Sequence, residues 1–358
     1  MSSAVGLTSL HPAPHDPGIR RWQQRPAGSN WGDFGADDEL GRLNYITPGV
    51  RKRALRYAQE GLVFCLSLPL NCPGGTVRRP GHSPWLTARP SDEEAPHNDQ
   101  YPLAGAQGAA TDVVTDKVVM LATQHATHWH SFAHVGQSFD ADRDGVRELL
   151  YYNGWRAGHD VMAPDPDTGA ARPRRLGVDT MARTCLQGRG VLIDLCHHLG
   201  RDRHLVGYDD MMRILEADRI EVEQGDLVCL HSGFGELAMS SSGPFDPADA
   251  GPGRCAALDG RDQRLLRWID DSGLAALISD NIGVEALPST SAGAERAAVL
   301  PLHEFCLFKV GVALGGLWYL SELAAWMRRF SRRYFLLTAP PLRLPGAVGS
   351  PVTPVATV

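Results

Sequence analysis

The sequence has no hydrophobic run long enough to cross a membrane. Its longest strongly apolar run without a charge covers residues 310–321, whereas a spanning helix needs about 20 residues. The first residues, Met1 to Val5, lack a basic segment followed by an apolar block, so no secretory signal peptide is expected. We therefore expect a cytoplasmic protein that does not use the membrane as a partner.

An excess of one charge is also missing. The 358 residues include 35 Lys and Arg against 41 Asp and Glu, for a net charge of -6. Nucleic-acid binders normally concentrate basic residues on one face, so no nucleic-acid partner is expected. The hydrophobic fraction of 43% is too high for a disordered chain, and a chain of this length buries a core without disulfides.

Cysteine pairs are absent too. The seven cysteines are odd in number and form no C-x-x-C motif; they are Cys65, Cys72, Cys185, Cys196, Cys229, Cys255 and Cys306. This usage predicts reduced, mostly buried thiols, as is typical of cytoplasmic proteins.

The hydrophobic pattern predicts an α/β fold. Residues 1–27 are rich in Pro, Gly and polar residues and are expected to form a poorly ordered arm, followed by a single domain over 28–358. The predicted helices cover 48–59, 208–218, 262–271 and 320–330. The predicted strands cover 63–70, 113–123, 190–195, 227–232, 275–279 and 335–339. Long loops are predicted near 73–112, 163–175 and 236–260.

Four of the fourteen histidines lie within residues 125–134. If residues 118–130 are extended, Gln124, His128 and His130 point to one face and His125 to the other. Two imidazoles at this spacing with a third polar group suit a divalent metal ion. Imidazoles also suit proton transfer at neutral pH. Two weaker candidates are His303, in the segment Pro301-Leu302-His303-Glu304, and the polar loop 280–285.

These residues and several other segments resemble the metal-dependent cyclase/hydrolase family that includes kynurenine formamidases and isatin hydrolases. The family signature is H-x-G-T-H-x-D-x-P-x-H, and the resemblance runs in order from about residue 30 to the C-terminus. The matching segments include Trp31-Gly32, Asp37 to Gly41, Leu43-Asn44, Tyr152-Asn153-Gly154, Arg189 to Asp194, Gly225-Asp226, Asp280-Asn281 with Glu285, Pro301-Leu302-His303, Ala339 to Leu342, Gly349-Ser350-Pro351 and Pro354.

The resemblance implies a swivelling β/β/α domain, a mixed sheet with surrounding helices, assembled as a homodimer or homotetramer. It also implies a divalent ion, often zinc or manganese, that activates water for attack on an amide, formamide or lactone carbonyl. The last histidine of the signature, His134, is then an acid or base, and His303 matches a downstream ligand position.

This sequence departs from the signature at four positions. Aligned on His134, the first histidine falls on Gln124, the glycine on Ala126, the aspartate on His130 and the proline on Phe132. Only Thr127, His128 and His134 are kept. The downstream glutamate of the two-metal members falls on Gly316.

These exchanges leave two hypotheses. A histidine cannot bridge two ions as an aspartate does, so a single ion held by Gln124, His128 and His130 would assist hydrolysis of an amide, lactone or related small molecule. Alternatively, a metal-independent cyclase, dehydratase or isomerase of natural-product metabolism uses His128, His134 and His303, with His130, for proton transfer. An inactive binding protein is the third possibility.

Aromatic residues near the motif predict an apolar or aromatic substrate. They are Trp129, Phe132, Tyr152, Trp155 and Trp318.

Overall fold

A nine-stranded mixed sheet with helices around it forms the centre of the protein. The computed structural model describes residues 21–72, 85–87, 101–102, 113–114, 118–120, 122–163, 165, 172–240, 254–286 and 298–358. Sheet and helices together confirm the predicted α/β class and the mixed sheet of a β/β/α domain.

The strands in chain order are β1 Val63–Cys65, β2 Trp85–Thr87, β3 Tyr101–Pro102, β4 Val113–Val114, β5 Val118–Met120, β6 His128–His130, β7 Gln137–Phe139, β8 Glu148–Leu150, β9 Val161–Met162, β10 Arg172–Pro173, β11 Gln187–Ile193, β12 His204–Val206, β13 Leu227–Leu230, β14 Ala256–Leu258, β15 Ala276–Ser279, β16 Ala313–Gly316, β17 Tyr334–Thr338, β18 Gly349–Pro351 and β19 Val355–Thr357.

The α-helices are α1 Pro48–Ala54, α2 Val178–Arg183, α3 Leu195–Leu199, α4 Tyr208–Asp218, α5 Phe234–Ser240, α6 Gln263–Ser272, α7 Pro301–His303 and α8 Ser321–Arg329. A π-helical turn, Glu304–Lys309, continues α7. Short 3₁₀ turns cover Gly41–Tyr45, Leu55–Tyr57 and Tyr152–Gly154.

The sheet order is β1-β19-β17-β11-β13-β15-β16-β6-β18. Strands β11, β13, β15 and β16 run parallel, and the strands outside them pair antiparallel. The parallel strands are buried along almost their whole length, which explains their continuous apolar runs. Their carboxyl ends meet at one edge, the place where open α/β sheets bind ligands.

Helix boundaries follow local chemistry that the sequence displays. Thr47 caps α1, since its Oγ1 accepts a hydrogen bond from Val50 N, and Pro48 is the first helical residue. Asp262 caps α6 in the same way, and Gly273 ends it in the left-handed region. The predicted helix over 48–59 is therefore shorter as an α-helix, because the chain tightens into a 3₁₀ turn after Ala54.

The packed chain begins before the predicted boundary at residue 28. Trp22 is buried and packs edge-on against Trp31. The Arg21 guanidinium lies 3.4 Å from the centre of the Trp155 ring, a cation–π contact. Burial of Arg21 and Trp22 overrides the Pro- and Gly-rich composition at this end of the arm. Residues 1–20 of that arm lie outside the described residues.

Two other predicted segments need correction. The predicted extended stretch over 118–130 is not continuous: 118–120 form β5 and 128–130 form β6, with turns and bends at 123–127 between them. The segment predicted as a loop near 236–260 overlaps the end of α5 and all of β14. Its first residues are helical because α5 has a buried apolar face that includes Phe234 and Ala238. Most of the 73–112 loop and the middle of the 163–175 loop lie outside the described residues.

All seven cysteines are free thiols, as predicted, but only three of them are buried: Cys229, Cys255 and Cys306. Cys65 and Cys185 are exposed because they lie on an edge strand and in a surface turn. Among the described residues, no helix combines the length and apolar character that a membrane span requires.

A methyl group at Gly190 should destabilise the central sheet. A Cβ there would lie 2.4 Å from ring atoms of Phe335 on β17, whereas one at Gly188 would lie 3.4 Å from its nearest neighbour. We expect Gly190→Ala to lower the unfolding free energy by about 1–3 kcal/mol in a urea titration, and the matched control Gly188→Ala to change it by less than about 1 kcal/mol. Equal effects of the two substitutions would contradict this packing.

Candidate active site

Strand β6 carries two histidines between two glycine-bearing strands. His128 lies opposite Gly316 of β16, and His130 lies opposite Gly349 of β18. A Cβ at Gly316 would be 2.9 Å from His128 Cε1, and one at Gly349 would be 2.7 Å from Gln124 Nε2. The glycines therefore leave the space that the His128 imidazole and the Gln124 amide occupy.

A hydroxyl fixes the start of this strand. Thr127 Oγ1 accepts a hydrogen bond of 2.8 Å from Leu68 N and donates one of 2.5 Å to Leu317 O. Thr127 is one of the three signature residues that this sequence keeps. The structure gives it a positioning role, because it ties the beginning of β6 to the segment that follows β16.

The two strand histidines contact each other directly. His128 Nε2 and His130 Nε2 are 2.9 Å apart. His128 Nδ1 lies 2.7 Å from Ala126 O, to which it can only donate. In neutral His128 the proton is thus on Nδ1, and Nε2 accepts the hydrogen bond from His130. In this tautomer the ring proton of His130 Nε2 makes the contact.

His130 is the centre of a cluster of four imidazoles. Its ring centre lies 4.7 Å from that of His128, 4.4 Å from that of His134 and 5.5 Å from that of His303. His128, His130 and His303 are buried, and His134 is half-buried. The cluster therefore leads from the strand to the boundary with solvent, and we call these four side chains the imidazole cluster.

A buried carboxylate holds one end of the imidazole cluster. Glu285 accepts hydrogen bonds from Leu302 N and His303 N, each of 3.1 Å, and from His303 Nδ1 at 2.5 Å. With its proton on Nδ1, neutral His303 presents an unprotonated Nε2. The carboxylate also stabilises the positive charge when that ring takes up a proton.

The sequence places Glu285 in a polar loop and predicts no specific role for this residue. Nothing in its spacing from His303 indicates the contact, because eighteen residues separate the two. The available signal was that both lie in segments that resemble the family.

Gln124 supports His134 rather than the strand histidines. Its Nε2 lies 3.1 Å from His134 Nδ1, so the amide N–H donates to the ring and leaves the neutral His134 proton on Nε2. The break after β5 makes this possible, since Gln124 lies in a turn and not on the strand. His125, predicted to face away, is buried near the same turn.

The five aromatic residues predicted to bind substrate are all less than 2% exposed. Trp129 lies on the face of β6 opposite to His128 and His130 and packs against Trp318. Phe132 packs against Tyr152, and Trp155 lies under Arg21. In this structure they form core around the site, and substrate contact by any of them stays a prediction.

A cleft of about 950 Å³ among the described residues lies beside the site. Pro301 and Glu304 line part of it, on either side of His303, but no imidazole of the cluster does. Its charged lining residues are Arg147, Arg261, Glu304 and Lys309. We therefore take the imidazole cluster, and not the cleft, as the chemically competent feature.

The residues present do not fit the carboxylate-bridged pair of ions that the resemblance implies. His130 and Gly316 replace the two carboxylates, and Glu285 is engaged by three donors of the α7 segment. Among the described residues, only Asp140, Asp142 and Asp144 bring three His, Cys, Asp or Glu ligand atoms within 4.8 Å of one another. The cluster offers at most two converging nitrogens, on His128 and His130.

Segments that carry the family resemblance meet in pairs. Asn153 accepts a hydrogen bond from Gly32 N and donates to Asp38 O. Arg189 makes two hydrogen bonds, of 2.8 and 2.7 Å, to Asp226. These matching residues outside the histidine motif therefore stabilise the fold, whereas Glu285 and His303 belong to the site.

A family model named Cyclase matches residues 30–286, more than half of the chain. The chain belongs to the cyclase family. This confirms the family predicted from the sequence. No curated protein sequence matches this cyclase.

Solved structures agree with the cyclase fold. One described as a novel cyclase is 26% identical, with 92% of this chain and 97% of that chain covered and a TM-score of 0.73. Isatin hydrolase A from Labrenzia aggregata, bound to benzyl benzoate, is 12% identical, with coverages of 86% and 98% and a TM-score of 0.53. Isatin hydrolase A from Ralstonia solanacearum is 15% identical, with coverages of 87% and 97% and a TM-score of 0.53. The two hydrolases show the fold alone.

Restoring two carboxylates should create a metal site in this cyclase. A side chain at position 316 would begin beside the His128 ring, and position 130 faces the same ring. We expect His130→Asp/Gly316→Glu to raise Zn²⁺ or Mn²⁺ affinity at least about tenfold over the unaltered chain, since hard divalent ions prefer oxygen ligands. Calorimetric titration of the single and double variants measures this. No gain in the folded double variant would mean that position 316 is not a ligand position.

Proposed function

We propose that this cyclase is an enzyme that opens or closes an amide or lactone bond of a small molecule by imidazole acid–base chemistry. The observation that carries the proposal is the imidazole cluster, with Glu285 behind one end and Gln124 behind the other. Each neutral terminal imidazole is thereby held in one tautomer, which is what an acid or base needs to act in a defined direction.

The two ends have different roles in the hydrolytic direction. His303 Nε2 takes a proton from a water molecule as its oxygen attacks the carbonyl carbon, and Glu285 stabilises the resulting imidazolium. His134 donates its Nε2 proton to the leaving nitrogen or oxygen as the carbon–heteroatom bond breaks. The proton taken up by His303 then passes through His130 to His134, so that both rings are neutral again. His128 holds the orientation of His130, which packs between the two ends. The reverse sequence closes a ring.

A metal-assisted hydrolase is the second candidate. It is favoured by the approach of the two Nε2 atoms of His128 and His130, which could hold one zinc or manganese ion with Gln124 as an oxygen ligand. Such an ion would supply an activated water. Binding would require His130 to give up the ring proton that it now donates to His128.

We propose a small, apolar or aromatic carbonyl compound as the substrate. Support comes from the aromatic side chains around the cluster. A homodimeric or homotetrameric assembly is likewise proposed from the family resemblance.

Turnover of lactones, formamides and cyclic imides by single-site variants tests the proposal. We expect His303→Gln and His134→Gln each to lower kcat about 100-fold or more, which is the usual contribution of a positioned acid or base. His204→Gln, outside the cluster on β12, is the matched control and should leave kcat unchanged. Full activity of both cluster variants on every substrate that the unaltered protein converts would rule the proposal out.

Glu285→Gln should separate orientation from binding. The amide keeps one oxygen acceptor at the same place, puts its NH₂ group where the other carboxylate oxygen was, and loses the charge that stabilises the His303 imidazolium. We expect kcat to fall about tenfold or more while KM changes little, with circular dichroism showing an intact fold. A rise in KM at unchanged kcat would assign Glu285 to substrate binding instead.

A further inference from the structure

A serine, a histidine and an aspartate form a second hydrogen-bonded chain at the carboxyl edge of the parallel strands. Asp194 directly follows β11, His231 directly follows β13, and Ser321 is the first residue of α8. None of them belongs to the imidazole cluster, and the proposed acid–base mechanism uses none of them.

The geometry is that of an activated nucleophile. His231 Nδ1 donates a 2.7 Å hydrogen bond to Asp194 Oδ1, and His231 Nε2 lies 3.2 Å from Ser321 Oγ. A nucleophile and base within hydrogen-bond reach, with the base oriented by a third group, is the arrangement by which serine hydroxyls are activated. His231 and Asp194 are buried, while Ser321 is half-buried.

The aspartate is itself fixed and charged. Its Oδ1 accepts from His197 N and its Oδ2 from Arg328 Nη1. Burial raises the pKa of Asp194, but the hydrogen bond and charge of His231 outweigh it and hold that pKa below its ordinary value. An ionised Asp194 keeps the imidazole proton on Nδ1, so neutral His231 accepts the Ser321 proton at Nε2.

Backbone donors lie beside the serine. The helix ladder of α8 begins with Ala324 N donating to Leu320 O, so the N–H groups of residues 321–323 are outside the ladder. Leu320 supplies no side-chain cap. These donors, at the positive end of a nine-residue helix, could stabilise a developing oxyanion.

We propose that Ser321 is the nucleophile of a second hydrolytic site, which takes small esters with short acyl groups. Ser321 Oγ attacks the ester carbonyl carbon, its proton passes to His231 Nε2, and the carbon–oxygen bond to the alcohol breaks as His231 returns that proton to the leaving oxygen. A water molecule then cleaves the acyl–Ser321 ester by the same proton route. We assign short acyl groups because the neighbouring Leu320 and Leu323 are completely buried and offer no exposed apolar surface to a long chain.

The same hydrogen bonds could serve only to hold α8 on the sheet, since Ser321 and Arg328 both belong to that helix. The two roles differ in reactivity. A structural serine has an ordinary hydroxyl, whereas an activated one reacts with organophosphorus esters.

The test is covalent labelling of the full chain with diisopropyl fluorophosphate, followed by peptide mass spectrometry. We expect an adduct on Ser321 that is absent from Ser321→Ala and that forms at least about 100-fold more slowly in His231→Gln. Ser240→Ala, which removes an exposed hydroxyl on α5, is the matched control and should label normally. His303→Gln should also label normally, so failure of the imidazole-cluster mechanism does not affect this result.

Acetylation provides a second readout that needs no histidine variant. Mixing the unaltered protein with p-nitrophenyl acetate should release a burst of p-nitrophenol and leave an acetyl group on Ser321. If the folded protein acquires neither adduct at Ser321, or if His231→Gln folds and labels as fast as the unaltered chain, the three residues are a structural clamp and the proposal is wrong.

Discussion

The site of this cyclase depends on the space beside one short strand. Strand β6 is confined between β16 and β18. The residues opposite His128 are Gly316 and Pro351, and those opposite His130 are Leu314 and Gly349. Because the two glycines have no side chain, the His128 imidazole and the Gln124 amide fit beside the strand, and the Nε2 atoms of His128 and His130 are in contact. Replacing either glycine would push a Cβ into His128 or Gln124. The close approach of the backbone at Gly316 and Gly349 therefore makes room for the polar side chains of His128 and Gln124.

The exchange of carboxylates for imidazole and glycine changes what the site can do. A pair of ions requires bridging oxygens, and the nearest carboxylate, Glu285, is instead held by backbone N–H groups and His303. What remains is a set of rings with defined donors and acceptors, from His303 through His130 to His134. Imidazole rings transfer protons readily near neutral pH. The set carries little negative charge, so it attracts a cation only weakly. The family fold is kept, while the residues at its centre differ from those of the family signature.

Much of this could be predicted from the sequence, and the failures have physical causes. The family, the α/β class and the capped helices followed from motifs and local signals such as Thr47-Pro48. The extended form of 118–130 did not hold, since the turn that brings Gln124 to His134 is set by tertiary contacts. The roles of Glu285 and Thr127 depend on partners distant in sequence. Trp129 shares a strand with two site histidines, and alternation alone places it in the core.

The serine network shows the same limit. Asp194 and His231 each follow a separate strand, and Ser321 begins α8. Only the parallel order of β11 and β13 brings the first two together. Their buried polar contacts are specific enough to imply either a second chemistry or a clamp on α8. In both cases the carboxyl edge of the sheet is where the polar chemistry of this cyclase is concentrated.

The most direct test of the central claim is the metal content of untagged protein, measured by plasma mass spectrometry together with turnover before and after dialysis against a chelator. The account predicts far less than one divalent ion per chain and unchanged kcat after chelation. A stoichiometric ion that is lost in His128→Ala/His130→Ala, with activity that disappears on chelation and returns with Zn²⁺ or Mn²⁺, would contradict it.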